Sequence, residues 1–249
     1  MRRNRCMDDM NFSLLELTLP SAEENLALDE ILLKLLAAGE IPPTLRLWEL
    51  SFPAVIVGRG NKLGLNVDYE ACRLEQVPVI RRMSGGGTVL LGPGCFVYSL
   101  LIPFAEHPGI KESIELILSR IGRSLQLRMP ADGKIELAGI SDLTIGGVKF
   151  SGNSQRWNKS CCLHHGTILY DFSLDQAARL LTKPEREPEY RAGRTHLEFM
   201  SNLPLTQSEI RSAFLDEWSA EKYEYRLPLD EVRQLAREKY QDAEWNESR

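Results

Sequence analysis

Val77-Pro78-Val79-Ile80-Arg81-Arg82-Met83-Ser84-Gly85-Gly86-Gly87-Thr88-Val89-Leu90-Leu91-Gly92-Pro93-Gly94 runs two arginines straight into a triple glycine, with an apolar stretch on either side. Glycine lets the backbone take positive φ and lets a ligand approach closely, at an entropic cost. Arginine presents a fixed fork of donors suited to phosphate or carboxylate. The pairing points to a loop that wraps an anionic, phosphorylated ligand. Its context decides the fold class. The runs before and after it read as strands, so the loop joins strand to strand. Neither G-x-x-x-x-G-K-[ST] nor a G-x-G-x-x-G between strand and helix occurs, which separates this loop from the standard glycine phosphate motifs. Three glycines alone are also what a flexible hairpin turn uses. The arginine lead shifts the reading toward a ligand site.

Outward from the loop, residues 12–18, 44–48 and 53–58 read as strands, and Cys95 to Leu101 as another, closed by Pro103. Ser21 with Glu24 forms a capping-box start. Leu28, Ile31, Leu32, Leu35 and Leu36 give that helix an apolar face, and Gly39 stops it. A short helix is expected over 66–75. Ile114, Ile117, Ile121 and Leu125 recur at helical spacing within 110–127. Residues 134–138, 142–150 and 161–171 read as strands. Ser173 with Gln176, and Thr206 with Glu209, start two further helices, and a last one covers 229–240. Strands and helices mix without strict βαβ alternation. The expected class is therefore α+β, with a mixed, largely antiparallel sheet flanked by helices. One catalytic domain is expected over 1–249, with its core at 10–204 and a small helical segment at 205–249. Residues 183–204 form a long charged stretch that includes Pro184 and Pro188; such loops in compact domains are usually functional or disordered.

The chain has 249 residues, 43% hydrophobic and 26% charged, enough for a large core. Lys and Arg number 30 against 35 Asp and Glu, a formal net charge of -5. That balance argues against general nucleic-acid binding. No apolar run approaches the ~20 residues of a bilayer-spanning helix, so no membrane partner is expected. Met1–Asp9 is basic but lacks the apolar stretch of a signal peptide and reads as a solvated tail. Five cysteines without a disulfide-framework spacing fit reduced thiols in the cytoplasm.

Two further clusters bear on chemistry. In Gly146-Gly147-Val148-Lys149-Phe150-Ser151-Gly152-Asn153-Ser154-Gln155-Arg156, Lys149 stands in a β pattern with glycines on both sides. A ligand can then lie close to the strand, with Lys149 as a point charge on it. Cys161-Cys162-Leu163-His164-His165-Gly166-Thr167 holds two Cys and two His. On a strand Cys161, Leu163 and His165 share one face, and Cys162 and His164 the other. The four side chains do not converge on one ion, and the spacing is not that of a zinc site.

Taken in order, Asn25-Leu26-Ala27-Leu28-Asp29-Glu30, Val57-Gly58-Arg59, Arg81 to Gly87, Ser141-Asp142-Leu143, Lys149 to Arg156, His164 to Thr167, and Lys239-Tyr240 with Glu244-Trp245-Asn246 span most of the chain. The ordered set resembles the lipoate–protein ligase A family, which shares the biotin/lipoate ligase catalytic-domain fold with biotin ligases and octanoyltransferases. The resemblance implies that lipoate or octanoate attacks the α-phosphate of ATP, giving acyl-AMP and pyrophosphate. A lysine of a lipoyl carrier domain then attacks the mixed anhydride. ATP and Mg²⁺ are implied, with no permanently bound cofactor. Lys149 is the implied catalytic residue, on the carbonyl and phosphate of the adenylate. Arg82, Ser84, Gly85, Gly86, Gly87, Thr88, Val89, Asp142, Gly152, Asn153, His165, Gly166 and Thr167 are implied substrate and adenylate contacts, with Asp142 the magnesium or nucleotide contact. The residues suit those steps. Carboxylate and triphosphate repel, and Arg82, Lys149 and Mg²⁺ are cations that bring them together. Donors preplaced on the phosphoryl and carbonyl oxygens lower each barrier. The acyl tail needs an apolar tunnel, for which Val79, Val89 and the 161–168 strand are expected, with His165 beside the tail.

Two departures from the family pattern shape the expected activity. In one branch of octanoyltransferases of this fold, the thioester cysteine lies in the loop upstream of the Lys-bearing strand. Here Lys134 to Ile140 contains no Cys, which favours the ligase. Cys95, Cys161 and Cys162 read as buried strand thiols, Cys95 being the one just past the glycine loop. Many ligases carry a C-terminal accessory domain, and residues 206–249 are too few for all of it. A separate accessory subunit is thus a candidate partner, beside the carrier domain. In addition, Leu91 stands where relatives often have a polar residue such as His. The expected activity is an ATP-dependent lipoate–protein ligase. The alternatives are an octanoyl transferase acting through a cysteine thioester, and a non-catalytic acyl-adenylate-binding subunit. Residues 183–200 are expected to order over the ligand.

Overall fold

The computed structural model describes residues 10–104, 109–130, 133–184 and 187–248. The Met1–Asp9 tail, with Cys6, and Glu185-Arg186 of the charged segment lie outside the described residues. Strand β6 (Cys95–Pro103) sets the layering. All but its last residue are buried, as in a strand covered on both faces. Phe96, Tyr98, Leu100 and Ile102 join one apolar layer, and Cys95, Val97 and Leu101 the other, which is the alternation of a pleated strand.

Beside β6 lie β1 (Ser13–Glu16), β2 (Thr44–Trp48), β7 (Ile135–Ala138), β8 (Asp142–Ile145), β9 (Val148–Trp157), β10 (Cys161–Leu169) and β11 (Glu221–Lys222). They form an eight-stranded sheet in the order β11-β1-β2-β6-β10-β9-β8-β7. β1 pairs parallel with β2 and β11, and the other ladders are antiparallel. A smaller sheet has the order β4-β3-β5, from β3 (Ala54–Val57), β4 (Val79–Arg81) and β5 (Val89–Leu91).

The main helices are α1 (Ala22–Ala38), α2 (Tyr69–Leu74), α3 (Ile110–Gln126), α4 (Leu174–Leu180), α5 (Gln207–Trp218) and α6 (Leu229–Leu235). Their starts follow local chemistry. Ser21, Ser173 and Thr206 accept the backbone N–H of Glu24, Gln176 and Glu209, and Gly39 ends α1 at φ 73°. α1 and the small sheet cover the Val97 face of the large sheet. α3 and α5 cover the opposite face through Ile117, Leu118, Ile121, Phe214 and Trp218. Burying each such side chain contributes about 1.5–3 kcal/mol. No helix among the described residues is long and apolar enough to cross a membrane.

One buried polar cluster pins α1 to the sheet. Arg46 of β2, fully buried, pairs with Asp29 at 2.6 Å and donates to Asn25 Oδ1 at 2.6 Å. Its other N–H groups go to the Leu17 and Asn25 carbonyls. Removing one partner would strand a buried charge, at a cost of about 3–5 kcal/mol.

The α+β class is as expected, but one local reading gives way. Residues 142–150 are not one strand. Gly146 and Gly147 take φ 56° and 74° and turn β8 back into β9, which runs on to Trp157. Two consecutive positive φ values make the primed turn that hairpins favour; the apolar flanks disguised it as strand interior. The charged segment holds a helical turn among its described residues. Thr195 and Glu198 form a reciprocal capping box there, starting a helical turn at His196–Phe199.

Candidate active site

Arg81 ends β4 and Arg82 opens the glycine loop. Both are buried, and both guanidinium groups bond to the protein. Arg81 Nη1 donates to the carbonyls of Gly58, Arg59 and Asn61 at 3.1, 3.2 and 2.8 Å. Asn246 takes the Arg81 backbone N–H and Nε, and Trp245 Nε1 donates to the Arg81 carbonyl. The chain's C-terminal turn is thereby tied to the root of the loop. Arg82 donates to Ser84 Oγ at 2.9 Å, to the Ile56 carbonyl at 3.2 Å and to the Gly85 carbonyl. Burial pulls its pKa down to about 10, so it stays cationic at neutral pH.

The three glycines differ. Gly86 alone has positive φ, 84°. A Cβ on Gly58 would lie 2.0 Å from the Gly86 carbonyl oxygen, so the loop folds flat against the end of β3. At Gly85 and Gly87 a Cβ would meet nothing within 4 Å.

Ser84 connects the loop to β10. Its Oγ accepts from Arg82 Nε at 2.9 Å and shares a hydrogen bond with His165 Nε2 at 2.6 Å. The other ring nitrogen, Nδ1, faces Asp29 Oδ2 at 3.8 Å. Burial, then the Arg82 charge, pulls His165 down to about 3. The imidazole is therefore neutral, and its approach to Asp29 is not an ion pair. Asp29 takes its strong contacts from Arg46 and from Ser99 Oγ at 2.9 Å.

Lys149 stands near the start of β9. Its ammonium meets Asp142 Oδ1 at 2.8 Å, and Tyr190 Oη donates to Asp142 Oδ2 at 2.7 Å. A Cβ on Gly152 would come within 2.8 Å of Lys149 Nζ, so glycine there lets the lysine lie along its own strand. Asn153 and Gly166 act from the opposite face. The Asn153 amide bonds Tyr98 Oη, the Ser141 carbonyl and Ser151 Oγ, while Ser141 Oγ donates to the Asn153 carbonyl. A Cβ on Gly166 would be 1.7 Å from Asn153 Oδ1. This clamp holds Ser141, and with it the start of β8 at Asp142, from behind.

Two connected hollows meet at Gly87, Thr88, Val89, Asp142, Lys149 and Gly152. The narrow lobe, about 150 Å³, is lined by the apolar Leu26, Trp48, Ile56, Leu91 and Val97, with the expected site residues Arg82, Gly86, Asn153, His165 and Gly166 also on its wall. The wide lobe, about 410 Å³, runs beneath the charged segment, with Pro188, Arg191, His196, Phe199 and Met200 on its wall. Thr167 also lines both lobes. Val79, expected in the tunnel, packs in the α1-side core instead. Sequence reasoning missed Leu26, Trp48, Ile56 and Val97, because a strand or helix apolar residue facing a cavity carries the same local pattern as one facing the core. It also missed Tyr190, whose partner is 48 residues away.

Neither lobe has a described cysteine on its lining. Cys72, Cys95, Cys161 and Cys162 are buried, and burial pushes the Cys95 and Cys162 thiols far up, away from the reactive thiolate. His164 stacks on Tyr98 at 5.9 Å while Cys161 packs on the α1 side, so the 161–165 side chains diverge. Among the described residues no group of three or more His, Cys, Asp or Glu is placed to hold a metal ion.

A mixed sheet flanked by helices, with two connected lobes that meet at one lysine, places the chain in a class: catalytic domains of the lipoate-protein ligase fold. A family described as the lipoyl protein ligase A/B catalytic domain matches residues 21–218, and the chain belongs to it. An octanoyltransferase LipM from Halalkalibacterium halodurans is 26% identical over 89% of this chain and 93% of its own length. A putative lipoate-protein ligase A from Aeropyrum pernix is 33% identical over 68% of this chain and 61% of its own. The fold is similar to a bi-partite lipoate protein ligase of Thermoplasma acidophilum, solved in a study with its E2 lipoyl domain, at a TM-score of 0.77 and 22% identity over 96% of each chain. It is similar also to a lipoate-protein ligase A bound with ATP, at a TM-score of 0.77 and 24% identity over 96% of this chain and 99% of that one.

Proposed function

We propose that the chain is an ATP-dependent lipoate–protein ligase, which activates lipoate or octanoate to acyl-AMP and passes the acyl group to a lysine of a lipoyl carrier domain. One observation carries this reading: Lys149 stands at the junction of the two lobes, while no described cysteine lines either. The acyl tail occupies the narrow lobe along Leu26, Trp48, Ile56 and Val97, with its carboxylate at Lys149. The nucleotide occupies the wide lobe. A carboxylate oxygen attacks the α-phosphorus, the bond to the bridging oxygen breaks, and pyrophosphate leaves. Lys149 neutralises charge on the phosphoryl and carbonyl oxygens in that step and again when the carrier's amine attacks. Arg82 and Ser84 hold the glycine loop in shape, leaving its backbone and the Gly87 surface for the ligand. Asp142 is a single carboxylate already bonded by Lys149 and Tyr190. It suits a magnesium ion carried in on phosphate oxygens, not one caged by protein. The reading includes a cytoplasmic, single-domain catalytic chain and a separate accessory subunit as an additional partner.

The test is lipoate-dependent ATP–pyrophosphate exchange and mass addition to a lipoyl domain. No exchange and no modification, with an accessory subunit present, would reject the ligase. A second reading, octanoyl transfer through a cysteine thioester, is favoured by the relatives named octanoyltransferases. It requires an acyl-thioester adduct in the intact mass, removed by Cys95→Ala or Cys161→Ala. A third, a non-catalytic acyl-adenylate binder, requires tight adenylate binding with every activity indifferent to Lys149→Ala.

A further inference from the structure

Residues 187–201 do more than wall the wide lobe; they grip the hairpin that carries Lys149 at three points. Arg194 Nη2 donates to the Gly147 carbonyl in the β8–β9 turn at 3.0 Å. Met200 bridges Lys149 along the backbone, and the Ser201 N–H donates to the Lys149 carbonyl at 2.9 Å. Tyr190 reaches the lysine's counter-ion, with its hydroxyl on Asp142 Oδ2 at 2.7 Å. The ring that delivers this hydroxyl is itself fixed. It packs on Phe199 at 5.2 Å, and a Cβ on Gly139 would lie 3.2 Å from its edge. Arg191 and Arg194 lie over the other contact ring, Phe199, at 4.7 and 5.3 Å.

Asp142 thus has each oxygen committed, one to Lys149 and one to Tyr190. A carboxylate held by a single flexible lysine rotates about its side-chain torsions and carries the ammonium with it. A second bond from a rigid donor removes that freedom, and charge-assisted bonds of this kind are the strong ones. We propose that Tyr190 is a positioning residue for Lys149: through Asp142 it fixes the ammonium at the junction of the two lobes. The charged segment then builds the reacting geometry as well as the lobe. This rests on the ligase reading for its kinetic readout but not for its chemical one.

Tyr190→Phe keeps the ring and deletes the hydroxyl. In lipoate-dependent ATP–pyrophosphate exchange, kcat is expected to fall about tenfold with KM for ATP and lipoate within twofold, the pattern of a lost transition-state interaction. In an Asp142→Asn background the same change is expected to add less than twofold, since the two residues act as one unit. Independently of activity, Lys149 in Tyr190→Phe is expected to react several-fold faster with a limiting amine-labelling reagent, read by peptide mass. Should the wild type show no exchange, the ligase reading falls while the labelling comparison still decides the role of Tyr190. Unchanged labelling of Lys149, or additive effects of Tyr190→Phe and Asp142→Asn, would overturn the proposal. If Tyr190→Phe folds poorly, Asp142→Asn alone serves: its Lys149 labelling is expected to rise likewise, and no rise overturns the proposal.

Discussion

At the scale of single residues, charge and burial separate the partly exposed Lys149 of the cleft from the groups that hold the fold. Lys149 is a partly exposed ammonium in the cleft, paired with one carboxylate. Lys149→Ala is expected to cut acyl-adenylate formation by at least about 10²-fold, the usual loss for one preplaced donor. Stability should fall by about 1 kcal/mol or less, as for a partly solvated pair, and a thermal melt run beside the exchange assay checks both. Lys149 was legible in the sequence because a lysine among glycines in a β pattern is unusual chemistry at one position. Arg82 was legible as important, but the destination of its donors was not. They close on Ser84, Ile56 and Gly85, a fact of loop closure. His164 and His165 also hold. Burial pulls each to about 3 from 6.5. The unfolded chain binds their protons first, so stability is intact above pH 6.5 and drains as pH falls from there toward 3. The slope approaches about 1.4 kcal/mol per pH unit for each histidine. Denaturant melts at pH 7.5, 6 and 5 should show that decline before most carboxylates titrate. A flat profile across that interval would contradict neutral, buried imidazoles.

At the scale of elements, local rules predicted starts and stops well. Capping is a contact over three residues, so Ser21, Ser173 and Thr206 announced their helices. The β8–β9 hairpin was missed because Gly146-Gly147 lies inside an apolar stretch, and only the backbone shows its positive φ. The glycine loop and the glycine it rests on, Gly58, have a comparable division of labour. Gly58→Ala drives a methyl to 2.0 Å from the Gly86 carbonyl. It is expected to cost about 1–3 kcal/mol, as overpacking does, and to weaken activity with it. Gly87→Ala meets open space and should change stability by less than about 0.5 kcal/mol. It should nonetheless raise KM for the acyl acid or ATP, because the methyl projects where both lobes meet. Urea melts paired with steady-state kinetics separate the two glycines.

At the scale of the whole molecule, distant segments make the site rigid. Trp245 and Asn246 bond Arg81 across 164 and 165 residues, and Lys239 and Tyr240 bond Glu30 of α1. Truncation after Gln241 removes the Arg81 contacts. It is expected to lower stability by about 1.5–4 kcal/mol, near 1 kcal/mol for each lost hydrogen bond. Hydrogen exchange should quicken in residues 81–87 more than in α3. Equal protection of the loop in the truncated and full chains would show that the C-terminal turn does not brace it.

The sequence by itself determined the α+β class, the helix caps, the strand alternation that separates His164 from His165, and the ordered set of residues that marks the family. These depend on contacts within a few residues or on side-chain chemistry at one position. The tertiary structure alone decided that the donors of the glycine loop's arginines close on the protein, that Leu26, Trp48, Ile56 and Val97 of the core also line a slot, and that Tyr190 reaches Asp142. A cavity is the volume left when segments far apart in the chain pack together. Its walls follow from long-range packing that no local pattern encodes. The triple glycine stands out along the chain, but Lys149, Asp142 and Tyr190 become one constellation only where β8, β9 and the charged segment meet.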